Sequence, residues 1–546
     1  MPTFKLDERD IPFEKGDTII MAAWRQGIEI PHYCWHPGLS IAANCRMCLV
    51  EIVPGPNQRA MMLDILKWDA AKNDYVVDRK PKLQPACQMQ VAEGMVVKSD
   101  SSPFVRDARA HVQEFLLANH PVDCPICDQA GECKLQDYWM SESGRSKRMR
   151  DEPVHKPKAV PFGDKIVYDA ERCIACTRCI RTCDELAGDH MLDLRERGNK
   201  AEVVLAPGRA LEGDYQLMVE HVCPVGALTS SHFRFKARVW TLKETPSVCT
   251  GCATGCTTWV DVDPREQRAY RLRPRDNAAV NKFWMCDDGM MTYAGQHERR
   301  VTRAAVGREG GRTRSALDVA ITRAAEALKG VKGDHVAVVL SAQHSTEDNF
   351  VAVELAKALN GRLYLSAKPA WRDDKILRNA DQNPNRSGAV AVASGASVGT
   401  LKDLIAAVNA STVNAVIALG GHVDTDPNTL SGLGQLPLVL LASHETDLGA
   451  QASVILPAAT SYECEGSFVN AKGLPQGFKR ALRPQGDAAP GWELLSRLGR
   501  AMGLDLTYTR FKDVRAALHA RVALAHPDHT PAPALSEAPA AATTTA

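Results

Sequence analysis

The chain has 546 residues and 17 cysteines, of which 16 fall between Cys34 and Cys286; Cys464 alone follows. One half must therefore fold around cysteine chemistry and the other without it. The content is far below the ~8–10% of a disulfide scaffold. The start, MPTFKLDERD, carries charge from Lys5 on and no apolar stretch, so no secretory signal is expected. No apolar run approaches the ~18 residues of a membrane span. In a reducing compartment, clustered cysteines predict metal ligands rather than disulfides. Lys and Arg total 66 against 65 Asp and Glu, a balance that excludes a dedicated nucleic-acid binder.

The first hundred residues read as a small mixed α/β domain. Phe4 and Leu6 alternate before a polar turn, with Ile11 and Phe13 beyond it, as in a hairpin. Asp17 or Thr18 can cap a short helix through Ala22 to Gln26. Residues 103–119 predict a helix, with Ser102 as cap and Pro103 in the first position. The basic stretch Ser141 to Lys158 reads as a solvated connector. From about Asp334 short apolar runs alternate with helical segments: VAVVL, a helix capped by Ser345 with Asp348 and stopped at Asn360-Gly361, AVAVA, a helix near 401–408, AVIAL, LVLLA and SVILPA. Taken as strands, these runs predict a parallel, doubly wound sheet. The Ala-, Pro- and Thr-rich tail from Pro527 predicts disorder.

Four ligand sets follow in order. Cys34, Cys45, Cys48 and Cys87 are spaced C-x10-C-x2-C-x38-C. Four thiolates can hold a [2Fe–2S] cluster, zinc or a [4Fe–4S] cluster; the first spacer is longer than the four residues of plant-type ferredoxins, so the match is to a variant form. HPVDCPICDQAGEC offers His120, Cys124, Cys127 and Cys133; three cysteines without a fourth nearby make the histidine the missing ligand, with a zinc site as the alternative. CIACTRCIRTC supplies Cys173, Cys176 and Cys179, with Cys223 of CPVGAL as the remote fourth ligand of a [4Fe–4S] cluster. Cys183 is left over as a buried thiol. CTGCATGC with a later cysteine gives Cys249, Cys252, Cys256 and Cys286, another [4Fe–4S] set, against a zinc-ribbon alternative. Four clusters in one stretch predict an electron relay. Imidazole in place of thiolate leaves a cluster less negative, so His120 should raise the potential of the second.

These motifs resemble the large iron–sulfur subunit of respiratory complex I, the NADH–quinone oxidoreductase. The resemblance is strong over residues 1–300 and continues weakly through EDNF, SVILPA and ECEGSFVNAKG to about Gly473. It implies a multidomain α/β chain: a 2Fe–2S ferredoxin-type β-grasp domain (1–100), a 4Fe–4S segment with one histidine and three cysteine ligands (101–145), a 4Fe–4S ferredoxin-like domain (146–240), a 4Fe–4S segment of molybdopterin-oxidoreductase type (241–300), a doubly wound molybdopterin-oxidoreductase-like domain without cofactor (301–525) and a disordered tail (526–546). The cofactors implied are one 2Fe–2S and three 4Fe–4S clusters, with no molybdopterin. The partners implied are the NADH/flavin subunit and other peripheral-arm subunits, with no nucleic acid and with membrane contact only through an ion-translocating complex, on the cytoplasmic side of a bacterial inner membrane. The fourth cluster is implied to lie off the main path.

Three departures stand out: the long spacer before Cys87, which suggests an insertion within 55–83; the extra Cys183, as in hydrogenase-type relatives; and a length short for a bacterial member. The alternative is a relay or catalytic subunit of an NAD-linked hydrogenase or formate dehydrogenase. Between Asp287 and Glu463 there is no cysteine to ligate molybdenum, nothing marks Ser387 for that role, and Cys286 is followed by Asp287-Asp288 where related enzymes carry a basic residue. Cys464 reads as a buried thiol. Gly432-x-Gly434 precedes a strand, so it is no dinucleotide fingerprint.

Overall fold

A computed structural model describes residues 1–54, 62–146, 148–421, 430 and 432–523. The chain divides into two compact units, Met1–Thr241 and a second beginning at Leu242.

The first unit opens with a five-stranded sheet in the spatial order Arg9–Pro12, Thr3–Leu6, Val96–Lys98, Leu49–Val53, Gln84–Pro85. The expected hairpin is present, with Phe4 opposite Ile11. Phe4 and Leu6 alternate inward with exposed neighbours, and the short helix Ile19–Arg25 buries Ile19, Ile20, Ala22 and Ala23. Helix Pro103–Asn119 begins where the sequence predicts: the Ser102 hydroxyl accepts the Val105 N–H, a cap worth ~1 kcal/mol. Arg109 is fully buried and fixes this helix to the sheet, donating to the Ser99 hydroxyl at 2.6 Å, to Asp100 at 2.7 Å and to the Leu49 carbonyl at 3.3 Å. The suspected insertion is a separate two-stranded hairpin, Met62–Asp69 with Asp74–Pro81; residues 55–61 lie outside the described residues. The basic connector is ion-paired to the long helix, Arg145 to Asp107 and Arg148 to Glu114. Two small sheets complete the unit, one of Val160–Phe162, Ile166–Tyr168 and Leu228–Ser230, the other of Leu192–Arg195 and Glu202–Leu205.

The second unit starts with the antiparallel strands Lys243–Val248, Thr257–Asp263 and Arg268–Pro274. Its centre is an eight-stranded sheet. Six strands are parallel, in the order Val454–Pro457, Leu438–Ala442, Ala415–Leu419, Val336–Ser341, Arg362–Ser366, Val398–Thr400, and an antiparallel ribbon, Ala304–Val306 with Thr313–Ser315, extends one edge. From the second edge inward and out again, the chain order of the parallel strands reverses at Val336–Ser341, as in a doubly wound sheet. Val336–Ser341, Ala415–Leu419 and Leu438–Ala442 are buried throughout, as strands covered on both faces must be. The helix Thr346–Leu359 is capped by Ser345 as expected, and Asn360 ends it in the left-handed region at φ 56°.

One expectation fails. AVAVA is not a strand: it lies in and just after the helix Arg386–Val392. Alternating Ala and Val suit either period, and here tertiary contacts decide. Asn385, just before the helix, accepts the Val469 N–H at 2.8 Å and the Thr346 hydroxyl at 3.2 Å. Val398–Thr400 takes the edge-strand position instead. The tail from Pro527 lies outside the described residues.

Candidate metal centres

Loops with little freedom carry the first set. Ala43 and Arg46 hold left-handed φ values of 50° and 59° around Cys45. Cys34, Cys48 and Cys87 are buried and Cys45 is half-buried. The sulfurs of Cys34 and Cys45 are hydrogen-bonded, and so are those of Cys48 and Cys87; this sharing draws the Cys34 and Cys48 thiols down and pushes Cys45 and Cys87 up. Each of the four sulfurs thus lies within electrostatic reach of the others.

The second set is built at the end of the long helix. His120 is its C-terminal cap residue. Burial holds its imidazole neutral, with the pKa lowered to about 4, and Asp123 and Arg172 lie beside it. The same two charges border Cys127. The His120 Nδ1 accepts the Val122 N–H at 3.1 Å. Burial pushes the Cys127 thiol up and Cys133 to about 11. Arg238 clamps the Cys124–Cys127 turn through the carbonyls of Pro125 at 2.7 Å and Cys127 at 2.6 Å. Gly226, from the CPVGAL motif, is packed so closely here that an added Cβ would overlap the Cys127 sulfur. The motif of the third set therefore also shapes the second.

In the third set, Ala175 and Thr177 take left-handed φ values of 51° and 62°, folding Cys173, Cys176 and Cys179 together. Cys223 follows the helix Gln216–His221. All four cysteines line a small cavity with Tyr168, Val203 and Leu228. The Ala175 N–H points at the Cys173 sulfur at 3.4 Å. Burial pushes all four thiols up. Cys183 is buried but is not among the lining residues; burial raises its thiol to about 12.

The fourth set lies in the second unit. Cys249, Cys252, Cys256 and Cys286 line a small cavity together with Met285, Gly289 and Arg378. The Gly251 and Gly289 N–H groups donate to the sulfurs of Cys249 and Cys286 at 3.3 and 3.4 Å. Arg378 reaches Asp288 at 2.7 Å, so the fold brings a cation beside the acidic pair that follows Cys286. Sequence reasoning missed it because it lies 90 residues away.

Among the described residues, no group of three or more His, Cys, Asp or Glu could hold a metal ion as placed. The sulfurs of the third and fourth sets ring cavities instead, and backbone N–H groups aimed at sulfur stabilise thiolate. Such a donor set fits a multi-atom core with four thiolate ligands, which is the Fe–S pattern. A larger and more open cavity, of about 470 Å³, sits at the carboxyl ends of the central strands and is lined by His344, Lys368, Gly420 and Cys464 among others. Ser387 is not one of its lining residues. The Cys464 thiol donates to the Thr460 carbonyl at 3.3 Å.

Comparison with known proteins gives five matches in chain order. They are a 2Fe–2S iron–sulfur cluster binding domain (1–66), the NADH–ubiquinone oxidoreductase-G iron–sulfur binding region (109–144), the ferredoxin-like domain of NADH–quinone oxidoreductase subunit 3 (163–229), the molybdopterin oxidoreductase Fe4S4 domain (242–296) and molybdopterin oxidoreductase (377–501). The G subunit of NADH–quinone oxidoreductase from Rickettsia conorii is 34% identical over 69% of this chain and 52% of its own length. Subunit 3 from Thermus thermophilus is 34% identical over 66% of this chain and 46% of its own. The G subunit from Rickettsia felis is 26% identical over 95% of this chain and 90% of its own. The chain thus spans about half the length of the first two relatives.

Proposed function

We propose that this chain, similar over about two thirds of its length or more to subunits G and 3 of NADH–quinone oxidoreductases, is an electron-relay subunit of such a complex, passing electrons from an NADH/flavin partner toward quinone. The observation that carries the reading is the succession of four ligand sets, all but Cys87 in segments matching iron–sulfur domains in the same order. The assigned ligands are Cys34, Cys45, Cys48 and Cys87 for a 2Fe–2S cluster, and His120 with Cys124, Cys127 and Cys133, then Cys173, Cys176, Cys179 and Cys223, then Cys249, Cys252, Cys256 and Cys286 for three 4Fe–4S clusters. When bound, such clusters exchange single electrons at potentials that the protein tunes by ligand, hydrogen bond and burial.

The chain's own residues perform the rest. Buried cysteines on left-handed loops fix the ligand geometry, so little reorganisation accompanies electron arrival. Backbone N–H groups at Ala175, Gly251 and Gly289 donate to sulfur and favour added negative charge. Apolar walls such as Val203 and Leu228 keep water out. The molybdopterin-oxidoreductase-like domain serves as scaffold, and the complex is bound peripherally on the cytoplasmic side of a bacterial membrane. Among the described residues no helix is long and apolar enough to cross a membrane.

Metal analysis of the anaerobically purified complex tests the reading. It requires about fourteen iron atoms in this chain, with little zinc, and low-temperature EPR signals from one 2Fe–2S and several 4Fe–4S centres on reduction by NADH. Stoichiometric zinc without these signals sinks it. The fourth set is expected to support assembly more than electron flow. A Cys252→Ala complex that assembles normally yet cannot turn over would contradict that part.

A further inference from the structure

We infer that Arg178 and Arg181 jointly bind the first and third ligand sets into one unit and raise the midpoint potentials of both clusters. The inference rests on the relay reading above.

The two arginines are three residues apart in the helix Arg178–Thr182 and therefore lie on neighbouring turns of one face. Both side chains are buried, at 9% and 8% exposure. Arg181 Nη2 donates to the carbonyl of Cys34, in the first set, at 2.6 Å and to that of Cys176, in the third, at 3.3 Å. Its Nη1 donates to the Ser40 carbonyl. Arg178 repeats the arrangement one residue out: it donates to the carbonyl of Trp35, next to Cys34, and at 3.2 Å to that of Val222, next to Cys223. Each guanidinium thus joins main chain beside one ligand set to main chain beside the other.

Their charge is the unusual part. The hydrogen bonds of both guanidiniums go to neutral oxygens, the carbonyls named above and, from Arg181 at 3.4 Å, the Thr177 hydroxyl. Glu185, one turn on, instead accepts the Ser40 N–H at 2.8 Å and the Ser40 hydroxyl at 2.5 Å. The adjoining His32 and His36 are held neutral, by burial first and then by Arg178. A guanidinium stays charged in proteins, and a buried charge requires a compensating one. Carbonyl dipoles supply part of it. Ligand cysteines lie in reach and would supply more once deprotonated on a cluster: Cys34 feels Arg181, while Cys176 feels both arginines. A cluster held by four thiolates gains one further negative charge on accepting an electron. Two fixed cations nearby favour that reduced form by Coulomb attraction. Because both arginines bridge the two sets, they act on both clusters in the same direction.

The test is an EPR redox titration of the intact complex carrying Arg181→Gln, Arg181→Lys or Arg178→Gln. Arg181→Gln should shift the midpoints of the first-set and third-set clusters to lower potential together. Arg181→Lys, which keeps the charge, should retain most of the parent values, and the second and fourth clusters should move less. Unchanged midpoints in Arg181→Gln, a shift confined to one cluster, or an equal shift in Arg181→Lys overturns the inference. If Arg181→Gln fails to load iron, Arg178→Gln decides by the same criteria. Absence of both signals from the parent complex would sink the relay reading itself, an outcome distinct from any of these.

Discussion

The rings of Tyr33 and Tyr138 meet edge-on, with centroids 5.4 Å apart at an interplanar angle of 64°. Tyr33 precedes Cys34 of the first ligand set, and Tyr138 ends the short helix that Cys133 of the second set begins. Tyr33 is wholly buried, and its hydroxyl lies within electrostatic reach of both Cys133 and Cys45. The Gln113 side-chain amide donates to that hydroxyl at 2.5 Å, and Tyr138 donates to Glu29 at 2.5 Å. Two aromatic rings with satisfied hydroxyls thus fill the space between two ligand sets.

Tyr33→Phe keeps the edge-on contact but removes the oxygen partner of the buried Gln113 amide. The cost should be ~1–3 kcal/mol, the penalty for a stranded buried donor. Thermal unfolding of the complex under anaerobic conditions measures it. Tyr33→Phe with Gln113→Leu should recover part of the loss.

Gly226→Ala changes no ligand, yet its Cβ would overlap the Cys127 sulfur. The expected result is selective damage to the second cluster, with its EPR signal lost or altered and the fourth cluster unaffected. An unchanged second signal would show that the Cys127 loop can yield by enough to admit a methyl group.

His120→Cys replaces a neutral imidazole with a thiolate, which makes the ligand shell more negative. The midpoint potential of the second cluster should fall. A redox titration without a shift would remove His120 from the ligand set.

Glu347, in the first turn of the helix Thr346–Leu359, is buried and accepts the Ser467 N–H at 2.8 Å and hydroxyl at 3.0 Å. Burial raises its pKa to about 7, above the ~4.3 of an unfolded chain. The folded state therefore keeps a proton that the unfolded state has already lost, and stability contributed by this group falls as pH rises from ~4.3 to about 7. Glu347→Gln should flatten that decline and leave the variant more stable than the parent at pH 8. Denaturation midpoints measured at pH 5 and pH 8 check the sign.

The proposed ligand sets rest on cysteine spacing, which is a local signal: a C-x2-C pair can supply two ligands from one turn whatever surrounds it. The helices at 103–119 and 346–359 are legible for the same reason, since Ser102 and Ser345 cap their own chain neighbours. Four strands of the central sheet show as unbroken apolar runs, whereas Arg362–Ser366, Val398–Thr400, Ala304–Val306 and Thr313–Ser315 carry no such signal. AVAVA defeats the same reasoning because its pattern fits two periods, and only contacts from Thr346 and Val469 to Asn385 decide between them.

Local order along the chain therefore carries the proposed ligand inventory and the division into a cysteine-rich half and a doubly wound half. Which residues stand between the ligand sets is settled in three dimensions alone. Arg178 and Arg181 look in the sequence like two ordinary basic residues beside a cysteine. Their meaning comes from carbonyls at Cys34 and Trp35, more than 140 residues away. Gly226, Arg378 and Tyr33 are similar: each acts on a sulfur or carboxylate far off in the chain. Packing and Coulomb forces depend on distance in space, and spacing along the chain carries no record of it.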